Sequence, residues 1–343
     1  MAKLFKRKEV ETASMDAAEN AIANKEVEGL SQRQIVIKRF IHHRAAMIAL
    51  FSLILITVIV NTALEFKIGP WKIHGWWKYK VTDIPELRYK ECPGQVIGCP
   101  TLKLFPPSLG EHPFGQDDIG RDYLALVMRG AQRSLMVAFV IGILGGVIGT
   151  IVGAISGFYR GVVDSVLMRF VDFVITVPAI IIGSVIGYRY GNLGAGFLAI
   201  YLGLFSWTGL SRLVRGEFLK LREMEFVDAA RVAGASNRRI IFKHILPNAV
   251  GIIIVSVTLL MSSAILLETA LSYIGFGVVA PDVSLGLLIS TYQDSFTSRP
   301  FLFWWPGFFI ISIALSINFI GDGLRDAFDP RQRRRVSRKE RGK

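Results

Sequence analysis

Long uncharged stretches of apolar residues dominate the chain and restrict the structures that it can form. Of its 343 residues, 52% are hydrophobic. A helix needs about 20 apolar residues to cross the hydrocarbon core of a bilayer, and in lipid only helices and closed barrels satisfy every backbone hydrogen bond. Six stretches approach or exceed that length, namely 45–64, 135–158, 173–188, 193–210, 249–267 and 301–320. The sequence therefore predicts an all-α membrane protein with about six transmembrane helices.

Basic residues set the predicted orientation of these spans. The chain carries a net charge of +13, and Lys and Arg collect before the first span, in the 211–248 loop and in the 321–343 tail. Cytoplasmic loops of membrane proteins carry such an excess. Six spans put all three regions on one side of the membrane, whereas five or seven do not. We therefore predict that both termini are cytoplasmic, and we assign the charge to the surface of a lipid bilayer rather than to a nucleic acid.

The spans divide the chain into consecutive parts. The N-terminal part is polar, and no small-residue cleavage pattern follows the first span, so we expect an anchor that is retained rather than a cleaved signal. The parts are a cytoplasmic N-terminal segment (1–44), the first transmembrane helix (45–64), an extracytoplasmic segment (66–134), a core of five transmembrane helices (135–320) that contains the cytoplasmic loop 211–248, and a basic cytoplasmic tail (321–343).

The extracytoplasmic segment holds both cysteines of the chain. Cys92 and Cys99 are flanked by Pro and Gly. In an oxidising compartment such a pair closes a small disulfide ring, and the alternative is two free thiols; we favour the ring. No His lies between the two cysteines, so we predict no metal site.

The end of this segment leads into the second span. Asp122 is placed to cap a helix that carries Leu124, Val127 and Met128 on one face. We interpret this helix as a short amphipathic brace that lies at the outer membrane surface.

Glycines recur at four-residue spacing along the second predicted span, at Gly145, Gly149, Gly153 and Gly157. In lipid, small residues at this spacing allow the backbone of another helix to approach closely. We predict tight packing against a neighbouring helix. The same glycine face would also permit the helices to slide, and the sequence alone does not distinguish this function from packing.

Ionisable residues near the ends of the spans are costly in a bilayer and are therefore candidates for function. Asp164, Arg169 and Asp172 flank the start of the third span, and Glu268 stands at the outer end of the fifth. A proton relay needs such groups in the middle of the membrane. We therefore expect ion pairs at the membrane interface, with Asp164, Arg169 and Asp172 pairing among themselves.

The cytoplasmic loop has the pattern of two short helices. Good helix formers run up to Gly234, which is placed to end the first helix in a left-handed cap. Ser236 is placed to cap a second helix that ends near His244, and Pro247 marks the turn into the fifth span. The loop is either an amphipathic helix offered to a partner's groove or a hairpin on lipid headgroups, and its physical chemistry favours neither.

Five pieces of the chain resemble membrane subunits of dipeptide/oligopeptide-type ATP-binding-cassette (ABC) importers. In two of them the match is imperfect, because Gln116 replaces a usual Thr and Asp228 a usual Glu. An insertion at 66–111 lies outside the common pattern. The matching pieces are His-Pro-x-Gly-x-Asp-x-x-Gly-Arg-Asp at 112–122, the entry to the third span at 160–178, the acidic-Ala-Ala, Gly and Leu-Pro sequence at 228–247, and the segments 267–277 and 321–330.

The resemblance implies a type I ABC importer permease fold and the C-type subunit of a heterodimer in the bacterial cytoplasmic (inner) membrane. It implies a second homologous permease, two ATP-binding subunits and an extracytoplasmic solute-binding protein as partners. The chain has no Gly-x-x-x-x-Gly-Lys-Ser/Thr loop, so we expect ATP and Mg²⁺ to be bound by the partner subunits and this chain to be no enzyme. The residues that the resemblance assigns to ATPase coupling are Glu225, Phe226, Asp228, Ala229, Ala230, Gly234, Ala235, Ser236, Arg239, Leu246 and Pro247.

The function expected from the resemblance is import of di- or oligopeptides, in which this chain forms half of the translocation pathway. Nickel chelates, opines, sugars and heme are alternative solutes within the same architecture. Two alternatives come from other classes, namely an ion-gradient-driven secondary transporter and a regulatory or scaffold membrane protein. A secondary transporter needs ionisable groups in mid-membrane and usually inverted repeats, and the sequence shows neither.

Overall fold

A computed structural model describes residues 32–68, 71–85, 98–103 and 108–328 of the chain. The chain divides into two compact units, one formed by Arg44–Arg325 and the other by the two ends of the chain. The elements are α1 (Gln32–His42), α2 (Arg44–Ala63), β1 (Phe66–Ile68), β2 (Trp71–Ile73), α3 (Tyr123–Tyr159), α4 (Gly161–Thr176), α5 (Ala179–Tyr190), α6 (Ala195–Phe205), α7 (Thr208–Arg222), α8 (Glu225–Val232), α9 (Asn237–Arg239), a π-helical turn (Ile240–Ile245), α10 (Leu246–Tyr273), α11 (Leu285–Tyr292) and α12 (Phe301–Phe328).

Five helical segments of the described chain are long and apolar enough to cross a membrane. They are Arg44–Ala63, Tyr123–Tyr159, Ala195–Arg222, Asn237–Tyr273 and Phe301–Phe328. A sixth span is formed if the pair α4 and α5, bent by 67° at a short break, is counted as one. The mostly helical fold with up to six spans agrees with the sequence prediction.

The break between α4 and α5 lies at Pro178. Val177 has extended backbone angles (φ −90°, ψ 117°), as expected for a residue before proline, whose ring disfavours the helical conformation there. Pro178 then precedes the first residue of α5. Pro306, in contrast, lies within α12, which continues through it.

Helix α3 differs from the amphipathic brace that we predicted. Asp122 caps it and accepts a hydrogen bond from the Ala125 amide, as expected, but the helix runs without interruption to Tyr159. Leu124, Val127 and Met128 are buried in the core rather than lying on a membrane surface. The prediction of a short interfacial helix was therefore wrong, because the apolar face that suggested it packs against neighbouring spans.

The other boundaries also shift. The fourth span continues to Arg222 and the fifth begins at Asn237, so the helices reduce the 211–248 loop to a shorter hairpin. Pro247 makes no turn, because it lies at the start of α10 directly after the π-helical turn, where its missing N–H is tolerated. The extracytoplasmic segment adds a two-stranded antiparallel hairpin, β1–β2, to the helical fold. Cys92 lies outside the described residues, so its pairing with Cys99 stays a prediction.

Helix α3 is the central element of the larger unit, and its glycines determine how closely its neighbours approach. A Cβ atom placed on Gly149, Gly153 or Gly157 would lie 2.8, 2.5 or 2.7 Å from a backbone oxygen of Trp207, Ser211 or Arg215. Gly145 instead faces Leu260 of α10 at 2.7 Å. The four-residue spacing thus allows the backbones of α3 and α7 to pack in direct contact.

Candidate functional site

The candidate site is the hairpin between α7 and α10. Gly234 ends α8 with φ +77°, and the amide of Ala235 donates to the Ala230 carbonyl (3.0 Å) while that of Gly234 donates to Arg231 (2.9 Å). This pattern is a Schellman cap, in which glycine adopts the left-handed conformation without a steric penalty. Ser236 then caps α9 by accepting a hydrogen bond from the Arg239 amide.

One face of α8 packs against the neighbouring helices and thereby holds the hairpin in place. Val227 is completely buried and Ala230 is 8% exposed, and both belong to a cluster that includes Phe218, Ile240 and Ile245. Val227 was missed by the sequence interpretation, although its three-residue spacing from Ala230 is the signal of a buried helical face. Phe226, the residue before Val227, is exposed instead.

Other residues of α8 and of the π-helical turn are exposed. Phe226 is 38% exposed and Val232 91%, and Phe242 of the π-helical turn is 61% exposed. Asp228 forms an ion pair with Arg231 at 3.0 Å. Of the remaining residues assigned to coupling, Ala235 and Leu246 are half-buried, and the exposed ones are Glu225, Ala229, Gly234, Ser236, Arg239 and Pro247. Of the two alanines assigned to coupling, Ala229 is therefore exposed, whereas Ala230 faces inward.

Charged contacts attach the base of the hairpin to α3. Glu223 lies 2.7 Å from the Arg160 guanidinium, and the Arg222 guanidinium donates to the Phe158 carbonyl and lies over the Phe158 ring. Arg160 joins α3 to α4 with φ 57° and ψ −166°, a conformation that is strained for any residue other than glycine.

The carboxylates at the start of the third span pair with α7. Asp164 accepts two hydrogen bonds from Arg215, each of 2.6 Å, and Asp172 pairs with Arg212. The expectation that Asp164, Arg169 and Asp172 pair among themselves was therefore wrong. Arg212 and Arg215 lie three residues apart on one face of α7, a neighbouring helix. Each pairs with one of the two carboxylates, and the contact of Arg215 is bidentate, which makes it strong.

Glu268 also differs from the prediction of an interfacial ion pair. Its side chain is completely buried. The hydroxyl groups of Ser134 and Ser272 donate to its two carboxyl oxygens at 3.0 and 2.8 Å, and Ser272 lies 3.4 Å from Ser284. Serine hydroxyls, rather than a cation, thus satisfy this group, because the residue faces the interior of the helix bundle and not the headgroup region.

Asp122 fixes the N-terminal end of α3. Beyond its cap, one of its carboxyl oxygens accepts from the Trp77 indole N–H and the other lies near His112 Nδ1, each at 2.8 Å. Both partners come from the extracytoplasmic segment, so this buried cluster ties that segment to the spans.

Asp117 makes a second connection between the same segment and the helices. Its carboxylate accepts from the Tyr292 hydroxyl at 3.0 Å and from Arg121 Nε at 2.6 Å. Burial raises the pKa of Tyr292, and the neighbouring Asp117 charge raises it further, so the phenol stays a hydrogen-bond donor. The His112–Asp122 motif therefore connects the segment 66–134 and α11 to the start of α3.

Comparisons with known proteins agree with this fold. The chain is 38% identical over 319 residues to the oligopeptide transport system permease protein OppC of Escherichia coli (strain K12), covering 93% of this chain and 97% of that protein. It is 36% identical over 304 residues to the protein of the same name from Mycobacterium tuberculosis (strain ATCC 25618 / H37Rv), covering 88% and 96%.

Other matches extend this result. A putative peptide permease protein of Brucella suis biovar 1 is 37% identical over 295 residues, covering 85% of this chain and 89% of that protein. A solved structure of the MetNI methionine ABC transporter in an inward-facing conformation shares the fold, with a TM-score of 0.50, 20% identity, and coverage of 60% of this chain and 96% of that one.

The family model of binding-protein-dependent transport system inner membrane components matches residues 149–334, which include the hairpin and the two spans that flank it. The secondary-transporter and scaffold alternatives are thereby excluded. The chain therefore belongs to this family and is the permease component of a binding-protein-dependent importer of the ABC type.

Proposed function

We propose that this chain forms half of the pathway through which an ATP-driven importer moves di- or oligopeptides across the bacterial inner membrane. The peptide substrate is supported by the names of relatives that are 36–38% identical over most of their length. The other half of the pathway is a second, homologous permease, and an extracytoplasmic protein delivers the solute. Both termini and the hairpin lie on the cytoplasmic side, as the distribution of Lys and Arg favours.

The hairpin is proposed as the docking surface for one of the two ATP-binding subunits, which bind ATP and Mg²⁺ and perform the hydrolysis. The observation that supports this role is that Val227 of α8 is completely buried whereas Phe226 and Asp228, which flank it, are exposed. A short helix held rigidly from behind and exposed in front suits a groove on a partner. Movement of the ATPase is thereby transferred to the spans.

The experiment compares the double variant Phe226→Ala/Asp228→Ala with the unaltered chain in native membranes. Because neither side chain is buried, we expect the variant to enter the membrane normally but to lose co-purifying ATPase and ATP-dependent uptake of labelled peptide by about tenfold or more. Ile119→Ser, at an exposed position of the extracytoplasmic segment, is the matched control and should change neither quantity.

Normal uptake by the double variant would contradict the docking role of the hairpin. Competition of the labelled peptide with unlabelled peptides, a nickel chelate or heme tests the solute separately. We expect only peptides to compete, and competition by the chelate or by heme alone would replace the peptide assignment without affecting the hairpin.

A further inference from the structure

Helix α4, the cytoplasmic half of the third span, has little apolar packing of its own. Val171 is its one buried residue, whereas Val162 is 79% and Phe173 69% exposed. Exposed apolar side chains do not fix the position of α4 relative to the neighbouring helices, because their contacts with lipid are equally favourable in any direction. Directional polar contacts must therefore decide where α4 lies.

Asp164 supplies the strongest of these contacts and joins three helices. Both of its carboxyl oxygens accept hydrogen bonds from Arg215 of α7, at 2.6 Å each, and Ser156 of α3 donates to the same carboxylate. The Asp164 side chain is only 16% exposed. Bidentate pairs between arginine and a carboxylate are strong and fix orientation as well as distance. The second pair, Asp172 with Arg212, is about half exposed and is weaker for that reason.

Helix α7, which carries Arg215, is rigidly connected to the hairpin. Phe218 and Leu221 of α7 and Val227 of α8 are buried in one cluster, and only a short connection separates the two helices. A displacement of α8 is therefore transmitted to α7 without an intervening flexible segment.

The outer half of the third span is held by a different neighbour. Gly183 and Gly187 of α5 lie against Leu271 of α10 and the backbone of Phe276. The two halves meet at the break before Pro178, where the bend is 67°. A shift of α7 thus moves α4 relative to α5 about this break.

We propose that Asp164 is a positioning residue, through which movement of the cytoplasmic hairpin changes the bend of the third span during transport. This inference rests on the proposed coupling function of the hairpin. Arg215 transfers the displacement of α7 to the Asp164 carboxylate, and Ser156 keeps that carboxylate in register with α3. Without the pair, the ATPase still docks and turns over, but α4 no longer follows α7.

The test measures peptide imported per ATP hydrolysed by the complete complex in proteoliposomes. We expect Asp164→Asn and Arg215→Gln to retain ATPase co-purification and hydrolysis while this ratio falls by about fivefold. The double variant should fall no further than either single variant, because both changes remove the same contact. Asp164→Glu, which keeps the carboxylate, should restore most of the ratio. Lys220→Gln removes a cation of the same helix whose partner, among the residues that the structure describes, is Glu217 of α7 at 3.3 Å, and it should have no effect.

An unchanged ratio in the single variants would overturn the proposal. So would a proportional loss of co-purification, hydrolysis and uptake, or a failure of the variants to enter the membrane, because either result shows a merely structural contact. The proposal would also be overturned if the double variant lowered the ratio by the product of the two single effects, because the two changes would then act independently. Absence of ATP-dependent uptake by the unaltered complex would instead contradict the proposed function itself.

Discussion

At the scale of the residue, Glu268 places a carboxyl group among serine hydroxyls in the interior of the helix bundle. Ser134 and Ser272 each donate to it, and each also accepts a backbone amide, from Leu285 and Val278 respectively. The cluster therefore connects α3, α10, the loop between α10 and α11, and the first residue of α11. A network of this kind specifies one arrangement of helices because every member is satisfied only there.

Replacement of Glu268 tests this network. We expect Glu268→Gln, which keeps an acceptor of the same shape, to reduce the free energy of unfolding by no more than about 1 kcal/mol, whereas Glu268→Ala should reduce it by about 2–4 kcal/mol through lost hydrogen bonds and a cavity. Thermal unfolding of the purified complex in detergent gives the comparison. Equal losses in the two variants would mean that an amide cannot replace the carboxyl group among these serines.

At the scale of the element, the pairing of α3 with α7 depends on backbone-to-backbone contact. Gly153 is the tightest point of this interface, because an added Cβ would meet the Ser211 oxygen at 2.5 Å and the Val214 Cβ at 2.8 Å. A carbonyl oxygen of a packed helix cannot rotate away as the end of a flexible side chain can. The helices must separate to accommodate any larger residue.

Gly153→Ala should therefore lower the free energy of unfolding by about 1–3 kcal/mol. Gly216→Ala is the matched control on α7, where an added Cβ meets no atom within 4 Å, and it should instead raise stability by about 0.5–1 kcal/mol because alanine favours a helix. Thermal unfolding and peptide uptake are measured for both. A stable Gly153→Ala protein with normal uptake would show that α3 and α7 do not remain in close contact in the membrane.

The helices also show which structural features a sequence pattern can predict. The ends of the hairpin helix could be predicted from Gly234 and Ser236, because a cap is made by residues adjacent in the chain. The continuity of α3 could not, because a buried helix and an amphipathic one share the same apolar stripe over a few turns. Likewise the inward orientation of Val227, rather than Phe226, is decided by Phe218 and the π-helical turn that lie behind it.

At the scale of the whole molecule, the arrangement of the spans across the membrane remains a prediction from the positions of Lys and Arg. Leu109, in the extracytoplasmic segment, is 57% exposed, and Ala233 of the hairpin is exposed as well. The proposed topology places these two positions on opposite sides of the bilayer.

Single cysteines at these positions test the topology, in a chain whose native Cys92 and Cys99 are replaced by serine. We expect a membrane-impermeant thiol reagent to label Leu109→Cys in intact cells, and to label Ala233→Cys only after the cells are permeabilised. Labelling of Ala233→Cys from outside would reverse the proposed orientation and remove the basis for ATPase docking at the hairpin.

The sequence by itself determined that the chain is a helical membrane protein with up to six spans, that a capped hairpin precedes the fifth span, and which family it resembles. These properties depend on the length of apolar runs, which the thickness of the bilayer dictates, and on residues that are neighbours in the chain. Tertiary structure alone decided that Asp164 pairs with Arg215, 51 positions away, that Glu268 is buried among serines, and which face of α8 is free. Those outcomes depend on helices distant in sequence meeting at particular rotations, and periodicity along one helix carries no information about the partner that its polar groups will find.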